Sequence, residues 1–125
     1  MVATAGDRSA IASRWSDDCT AVVVLCAAWC DTCTEFRAAF ERIAAARPDA
    51  LFVWLDIEDD AGICGDIDVD NFPTLAIFRG DALLHYGVSL PQEGTVARLV
   101  DEVAAHGRPL VDAPEPVRAL PAALR

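Results

Sequence analysis

The sequence predicts an α/β fold, with a central mixed sheet of four to five strands flanked by helices on both faces. Residues 21–28 are a continuous apolar run, a composition typical of a strand buried on both faces of a parallel sheet, and residues 51–57 predict a second apolar strand. Residues 74–78 and 82–86 are two further strands joined by Gly80-Asp81, which predicts an antiparallel hairpin. A parallel beginning and an antiparallel end together indicate a mixed sheet.

Helices are predicted between these strands. Residues 8–17 predict a first helix, and residues 59–67 a short helix or loop. The clearest helix is residues 31–47, which Pro48 ends. One face of that helix carries a buried stripe made of Cys33, Phe36, Phe40 and Ile43.

The last predicted helix begins with a capping-box pair, Ser89 and Gln92, and ends at Gly107. Beyond it the composition changes, because four of the seven prolines lie in the last 18 residues. Such a segment cannot form one long helix. The sequence therefore predicts a domain over residues 1–107 and a proline-rich C-terminal tail over 108–125, whose apolar residues lie along the domain surface or against a partner.

Composition narrows the class of protein. The 125 residues are enough for one hydrophobic core, and 54% apolar residues exclude a disordered chain. The net charge of −10 repels phosphate backbones and anionic lipid, so neither nucleic acid nor membrane is an expected partner. The first residues lack the pattern of a secretory signal. The chain has five cysteines, and an odd number argues against a framework of structural disulfides. We therefore predict a cytoplasmic monomer without structural disulfides.

The motif that carries chemistry is Trp29-Cys30-Asp31-Thr32-Cys33, placed where a buried strand passes into a helix. Only a thiolate attacks a disulfide, and the unpaired N–H groups and macrodipole of a helix N-terminus favour negative charge at Cys30. Two intervening residues put Cys33 about one helical turn further on, within reach of the same sulfur. Trp29 is expected to shield the site and leave Cys30 as the exposed sulfur.

At these residues the sequence resembles the thioredoxin family, over roughly residues 8–106. The strand followed by Trp29, Cys30 and Cys33 matches the family signature, and Phe72-Pro73 before a strand matches its cis-proline. Gly87 matches a glycine beside the substrate groove. The resemblance implies the thioredoxin fold, Cys30 as nucleophile and Cys33 as resolving thiol. It also implies that the backbone of Phe72 pairs with an extended substrate peptide.

Two departures from the family pattern concern proton transfer. Thioredoxins proper pair a buried aspartate, six residues before the first cysteine, with a lysine on the next strand; here those positions hold Val24 and Trp54. Asp31 also puts a negative charge beside the thiolate, which opposes the helix dipole. These departures favour a specialised thioredoxin-like protein with a narrow partner range over a general, strongly reducing thioredoxin.

The remaining cysteines have less definite roles. Cys26 lies in a buried strand and is interpreted as a small core residue, with co-oxidation beside the active pair as the alternative. Cys64 lies on a glycine-flanked, exposed segment, which makes it a candidate for a regulatory disulfide, although inertness is favoured. Cys19 indicates no role. Zinc binding by Cys30 and Cys33 would need two more ligands, and no second pair with that spacing exists.

These observations predict an enzyme, a protein thiol–disulfide oxidoreductase of cell redox homeostasis. It would need no cofactor beyond a redox-active Cys30–Cys33 pair, and no metal. Its partners would be disulfide-bearing proteins and a reductase that recycles the pair. The alternative is a thioredoxin-fold binding or assembly module, using the Phe72-Pro73 groove and the proline-rich tail, in which the cysteines turn over little or not at all.

Overall fold

The computed structural model describes residues 2–125, which form a five-stranded mixed sheet with helices on both sides. In chain order the elements are β1 (Val2–Thr4), α1 (Arg8–Arg14), β2 (Thr20–Cys26), α2 (Asp31–Ala45), β3 (Leu51–Asp56), α3 (Ala61–Cys64), β4 (Thr74–Arg79), β5 (Ala82–Val88), α4 (Glu93–His106), α5 (Glu115–Arg118) and α6 (Leu120–Leu124). No helix within these residues combines the length and hydropathy needed to cross a membrane.

The strand order is β1-β3-β2-β4-β5, and it confirms the predicted mixed sheet. The first three strands run parallel to one another, and β4 and β5 join antiparallel. The central strand β2 is buried on both faces, as its apolar composition predicts. The edge strand β1 was not predicted, because three residues are too few to show a periodic pattern.

Two hydrophobic clusters lie on opposite sides of the sheet, because successive residues of a strand point to opposite faces. Val22, Val24 and Cys26 of β2 face the side covered by α2 and α4, called here the α2 side. The intervening residues, such as Val23 and Leu25, face the side covered by α1, α3 and the C-terminal helices, called here the α1 side. The two sides of the sheet thus have separate cores.

Residues 108–125 pack against this domain. Val117, Leu120 and Leu124 are fully buried in the α1-side cluster, and Pro121 is buried with them. Two short helices, each with a proline in its first turn, fit the prediction that one long helix is impossible. Of the two placements left open for the tail, the structure shows the one against the domain, where Val117, Leu120 and Leu124 lie in the core while Leu110 and Val111 stay exposed.

The turn between β4 and β5 is fixed from outside the hairpin. Gly80 has φ of +58°, and an added Cβ would lie 2.5 Å from the Asp17 carbonyl oxygen. Its N–H donates to the Cys19 carbonyl at 2.9 Å, and its own carbonyl accepts from the indole N–H of Trp15 at 2.9 Å. The hairpin tip is therefore bonded to the segment that joins α1 to β2.

The beginning of α4 differs from the prediction. Its N-cap is Gln92 rather than Ser89, and no side chain caps it. The Ser89 N–H instead donates to the Pro73 carbonyl at 3.0 Å, and its hydroxyl donates to the Leu90 carbonyl. The capping-box prediction was wrong because backbone pairing holds Ser89 beside the start of β4.

Candidate active site

The Trp29–Cys33 motif lies at the junction of β2 and α2, as the sequence predicts. Cys30 is the N-cap residue of α2, with its N–H donating to the Ala27 carbonyl at 3.0 Å. This turn folds the chain back after β2 and leaves the Cys30 side chain partly exposed. Cys33 is the third helical residue and is 1% exposed. The two cysteines thus differ in access, Cys30 facing solvent and Cys33 the core.

The disulfide in the structure joins Cys26 to Cys33, with a Cα–Cα distance of 5.9 Å, and Cys30 is a free thiol. This pairing differs from the expected Cys30–Cys33 disulfide. Cys26 is a buried core residue, as interpreted, and it is also oxidised, which was the alternative. The reason is strand parity. Cys26 is the last residue of β2 and points to the α2 side, where the buried stripe of α2 places Cys33.

That signal was already present in the sequence. The buried stripe predicted for residues 31–47 includes Cys33, and Cys26 ends the strand on which that helix must pack. A cysteine at the end of the strand and another in the buried stripe of the helix that packs on it are enough to predict that Cys26 and Cys33 are in contact. The roles of Cys30 as nucleophile and Cys33 as resolving thiol remain predictions.

Trp29 and Phe72 form one wall of the surface around Cys30. Their rings meet edge to face with centroids 5.5 Å apart, and the indole N–H of Trp29 donates to a Glu58 carboxylate oxygen at 2.6 Å. Trp29 is 64% exposed, more than a shielding role suggests. Its ring stands on the surface, where it can contact a bound partner.

The Phe72–Pro73 peptide bond is cis, as the resemblance implies. Phe72 and Cys30 are both partly buried and pack against the same α2-side cluster. The residue before Pro73 and the N-cap of α2 therefore contact the same core. Gly87 pairs with Leu75 in the hairpin, two residues after Pro73. Trp29 and Phe72 thus lie together next to Cys30, with Pro73 directly after Phe72, whereas Gly87 is joined to this segment only through its pairing with Leu75.

A pocket of about 530 Å³ opens on the other flank of Cys33. Val24 and Trp54 are neighbours in the sheet register, and the Arg37 guanidinium lies 4.8 Å from the centre of the Trp54 ring. An aliphatic and an aromatic side chain therefore occupy the positions where thioredoxins proper hold an acid and a lysine. Sequence reasoning did not find this pocket, because Arg37 and Trp54 come from elements far apart in the chain.

Asp56 is an acid that lines this pocket together with Cys33. Burial acts to raise the pKa of its carboxyl, but hydrogen bonds from the N–H groups of Asp59, Glu58 and Ala28 outweigh burial and lower it. The carboxylate oxygen accepts from Glu58 at 2.8 Å and from Asp59 at 3.0 Å. Asp56 therefore places a fixed negative charge in the pocket.

The segment around Cys64 is exposed at Gly62 and Gly65, as expected, but Cys64 itself points to the α1 side of the sheet and is 1% exposed. Burial raises the pKa of its thiol to about 11, and the charge of Asp60 adds to the effect. The thiol donates to the Asp60 carbonyl at 3.3 Å. Cys64 is held protonated and out of reach, which fits the favoured interpretation of it as inert.

Among residues 2–125 no three histidine, cysteine or acidic side chains cluster closely enough to hold a metal ion. Three sulfurs lie at the described site, one of them partly accessible and two bonded to each other in the core.

Comparison with known proteins agrees with this arrangement. The Thioredoxin family model matches residues 8–102, more than half of the chain. The chain belongs to the thioredoxin family. It is 24% identical over 87 residues to a thioredoxin of Ophiophagus hannah, covering 68% of this chain and 83% of that protein. A thioredoxin H-type of Brassica campestris is 28% identical over 86 residues, covering 67% of this chain and 70% of that protein.

A crystal structure of thioredoxin from Trypanosoma brucei brucei superimposes with a TM-score of 0.68 at 22% identity, covering 84% of this chain and 92% of that one. This likeness shows the thioredoxin fold. With the family match and a disulfide within the motif region, this thioredoxin-family protein is a thiol–disulfide oxidoreductase.

Proposed function

We propose that this thioredoxin-family protein reduces disulfides in partner proteins, with Cys30 as the nucleophile and Cys33 as the resolving thiol. The observation that carries the proposal is the difference in access between the two sulfurs at one helix N-terminus. Cys30 is free and partly exposed at the N-cap of α2, and Cys33 is buried three residues later. An attacking sulfur must be reachable, and a resolving sulfur needs only to reach the first.

The reaction begins with both cysteines reduced. The Cys30 thiolate attacks one sulfur of the partner disulfide, and the other partner sulfur leaves as a thiolate. Cys33 then attacks Cys30, forms the Cys30–Cys33 bond and releases the second partner sulfur as a thiolate. The partner gains two electrons, and the protein loses two. The N–H groups at the start of α2 stabilise the anionic sulfur in the first step.

The partner binds across the surface formed by Trp29, Phe72 and Pro73. The exposed indole and the half-buried phenylalanine offer apolar contact, and the backbone next to Pro73 offers hydrogen-bonding groups to an extended peptide. Asp68 and Asp70 line a hollow with Gly87 at the edge of this surface. This acidic rim favours partners with basic residues beside their disulfide.

A cytoplasmic, reducing compartment suits this chemistry. In such a compartment thiols that take no part in the exchange stay reduced. A separate reductase would return the oxidised protein to its dithiol form, because each turnover leaves one disulfide behind. The protein would act as a monomer and need no cofactor other than its cysteines.

Reduction of insulin by the purified protein, with dithiothreitol as recycling reductant, tests the proposal. Cys30→Ser is expected to abolish the rate above background, because the accessible sulfur is lost. Cys33→Ser is expected to accumulate a mixed disulfide at Cys30, visible as a mass increase that a reductant removes. Cys19→Ala is the matched control and should retain the wild-type rate.

Full activity in Cys30→Ser would show that another sulfur attacks, and the assignment would be wrong. A wild-type protein that neither reduces insulin nor forms a mixed disulfide would instead favour the binding-module alternative. Because residues 108–125 pack on their own domain, that module would depend on the Phe72-Pro73 groove alone.

A further inference from the structure

The structure brings a third cysteine to the pair that carries the exchange reaction. Cys33 is bonded to Cys26, which is fully buried at the end of β2. Cys33 is also the third helical residue after Cys30, the N-cap of the same helix. Side chains three residues apart on a helix are neighbours, with Cβ atoms about 5–6 Å apart. Cys33 is thus within reach of one sulfur from the solvent side and of another from the core.

We propose that Cys26 is a third redox cysteine, which takes Cys33 from Cys30 after each reduction and stores the disulfide in the core. This inference rests on the proposed function, because the Cys30–Cys33 disulfide is its starting point. The Cys26 sulfur, as a thiolate, attacks the Cys33 sulfur; the Cys26–Cys33 bond forms and the Cys30–Cys33 bond breaks.

Cys30 leaves as a thiolate and takes up a proton equivalent to the one that Cys26 loses. One disulfide is broken and one is formed, so the step is an isomerisation with no net oxidation. It therefore needs no oxidant, reductant or cofactor from outside the chain.

Burial supplies the direction of the exchange. The Cys26–Cys33 disulfide lies within the α2-side cluster, with one sulfur-bearing residue fully buried and the other 1% exposed. Before the step the free thiol is that of Cys26 in the core, and after it the free thiol is that of Cys30 at the surface; a polar S–H among apolar side chains such as Val24 and Phe36 costs free energy unless it is hydrogen-bonded. The same core would oppose a thiolate at Cys26, which makes the internal step slower than exchange at the surface.

This transfer of the disulfide from Cys30–Cys33 to Cys26–Cys33, called here the relay, changes what the oxidised protein can do. A conventional Cys30–Cys33 disulfide would leave the oxidised protein without an accessible nucleophile at the groove. The Cys26–Cys33 form instead presents a free Cys30 beside Trp29 and Phe72. The oxidised protein can then engage a second partner disulfide, and an external thiol cannot reach the stored disulfide unless Cys30 reopens it from within.

Disulfide mapping of the oxidised protein tests this proposal. The protein is oxidised with one equivalent of a disulfide reagent, acid-quenched to stop exchange, and digested with pepsin at acid pH. Trypsin is unsuitable, because Cys19, Cys26, Cys30 and Cys33 all lie between Arg14 and Arg37. Mass spectrometry is expected to find Cys26 linked to Cys33 and Cys30 free.

Two variants sharpen the test. In oxidised Cys26→Ala the only pairing left at the motif is Cys30–Cys33, so alkylation of Cys30 should fall from near one equivalent to near zero. In Cys30→Ser the internal entry is lost for oxidation and reduction alike, so the Cys26–Cys33 disulfide is formed by refolding the chain under oxidising conditions. Its reduction by dithiothreitol should then be at least about tenfold slower than in wild type. Cys19→Ala is the matched control and should behave as wild type in both assays.

A wild-type protein that reduces insulin but carries only Cys30–Cys33 when oxidised would overturn the relay and leave the proposed function intact. Equal reduction rates for Cys30→Ser and wild type would also overturn it, because the stored disulfide would then be open to solvent. Loss of the proposed function would show differently, as insulin reduction that survives in Cys30→Ser.

Discussion

Cys33 and Cys64 are equally buried, each 1% exposed, on opposite sides of the same sheet. On the α2 side, Cys33 lies in the first turn of a helix and has another sulfur bonded to it. On the α1 side, Cys64 ends a four-residue helix and donates to backbone carbonyls of acidic residues. Burial alone therefore does not decide whether a cysteine reacts. The difference lies in the groups that share the buried site.

The same contrast holds for the two cores. The α2-side core ends at the cysteine motif and at the pocket beside Cys33, so part of its surface serves chemistry. The α1-side core is closed by the C-terminal helices, whose apolar side chains are fully buried. We infer that the α1 side contributes chiefly to stability, and that the α2 side carries the reaction. Four measurements can test this division of roles.

The largest effect is expected in the α1-side core. Leu120→Ala should lower the free energy of unfolding by about 2–5 kcal/mol, because it removes a fully buried side chain and leaves a cavity. Urea denaturation of the reduced protein measures this change. The alkylation rate of Cys30 in the folded variant should stay at the wild-type value, because the substitution lies across the sheet.

Val111→Ala is the matched control in the same C-terminal segment. That side chain is 85% exposed, so its loss should change the free energy of unfolding by less than about 0.5 kcal/mol. Equal losses for the two variants would contradict the placement of Leu120 in the α1-side core.

The next largest effect is expected in the alkylation rate of Cys64 relative to that of Cys30. A pKa of about 11 instead of 9.0 lowers the thiolate fraction near pH 8 by about 100-fold, and burial adds a barrier to access. Native-state alkylation of the reduced protein should therefore label Cys30 at least about 100-fold faster than Cys64. In urea the alkylation rates of Cys30 and Cys64 should converge. Comparable rates in the native state would contradict the contrast between the α2 side and the α1 side of the sheet.

The raised pKa of Cys64 also predicts a dependence of stability on pH. Between about pH 9 and pH 11 the folded state holds a proton that the unfolded state releases, so the free energy of unfolding should fall as the pH rises. Cys64→Ala should remove the part of this decrease in the free energy of unfolding that comes from the Cys64 thiol. Parallel pH profiles for the variant and wild type would contradict it.

The smallest effect is expected at the acidic rim of the groove. Asp70→Asn should slow exchange with a disulfide peptide that carries basic residues by about two- to threefold at low salt, and by less at high salt. Asp49→Asn, an equally exposed change before the start of β3, is the control and should have no effect. A wild-type rate that does not change with salt would remove the proposal of basic partners.

Much of the fold could be predicted because its elements have strong local patterns. The valine-rich run of β2, the apolar stripe of α2 and the Gly80 turn each specify their own structure, and the structure confirms them. The start of α4 was misplaced because its capping pattern competes with a backbone bond between Ser89 and Pro73. That bond joins residues far apart in sequence, and no local pattern reveals it.

The position of the candidate site in the fold could be predicted, but the contacts among its residues could be predicted only in part. Residue spacing placed Cys30 and Cys33 at a helix start, and the resemblance supplied the cis-proline. Spacing alone favours the near neighbour as the partner of Cys33, whereas the sheet brings Cys26 beneath it. Cys64 was misjudged because two flanking glycines suggest exposure, while the fold of α3 turns its thiol inward.

The bonds at Gly80 have a consequence for local opening of the hairpin. Its amide hydrogen is buried and shared with Cys19, and its carbonyl holds the Trp15 indole, so the tip of β4–β5 cannot fray independently. Exchange of that amide with deuterated solvent should require separation of α1 from the sheet. Gly80 thus provides a slow-exchanging reporter of global unfolding at a position where most hairpins exchange fast.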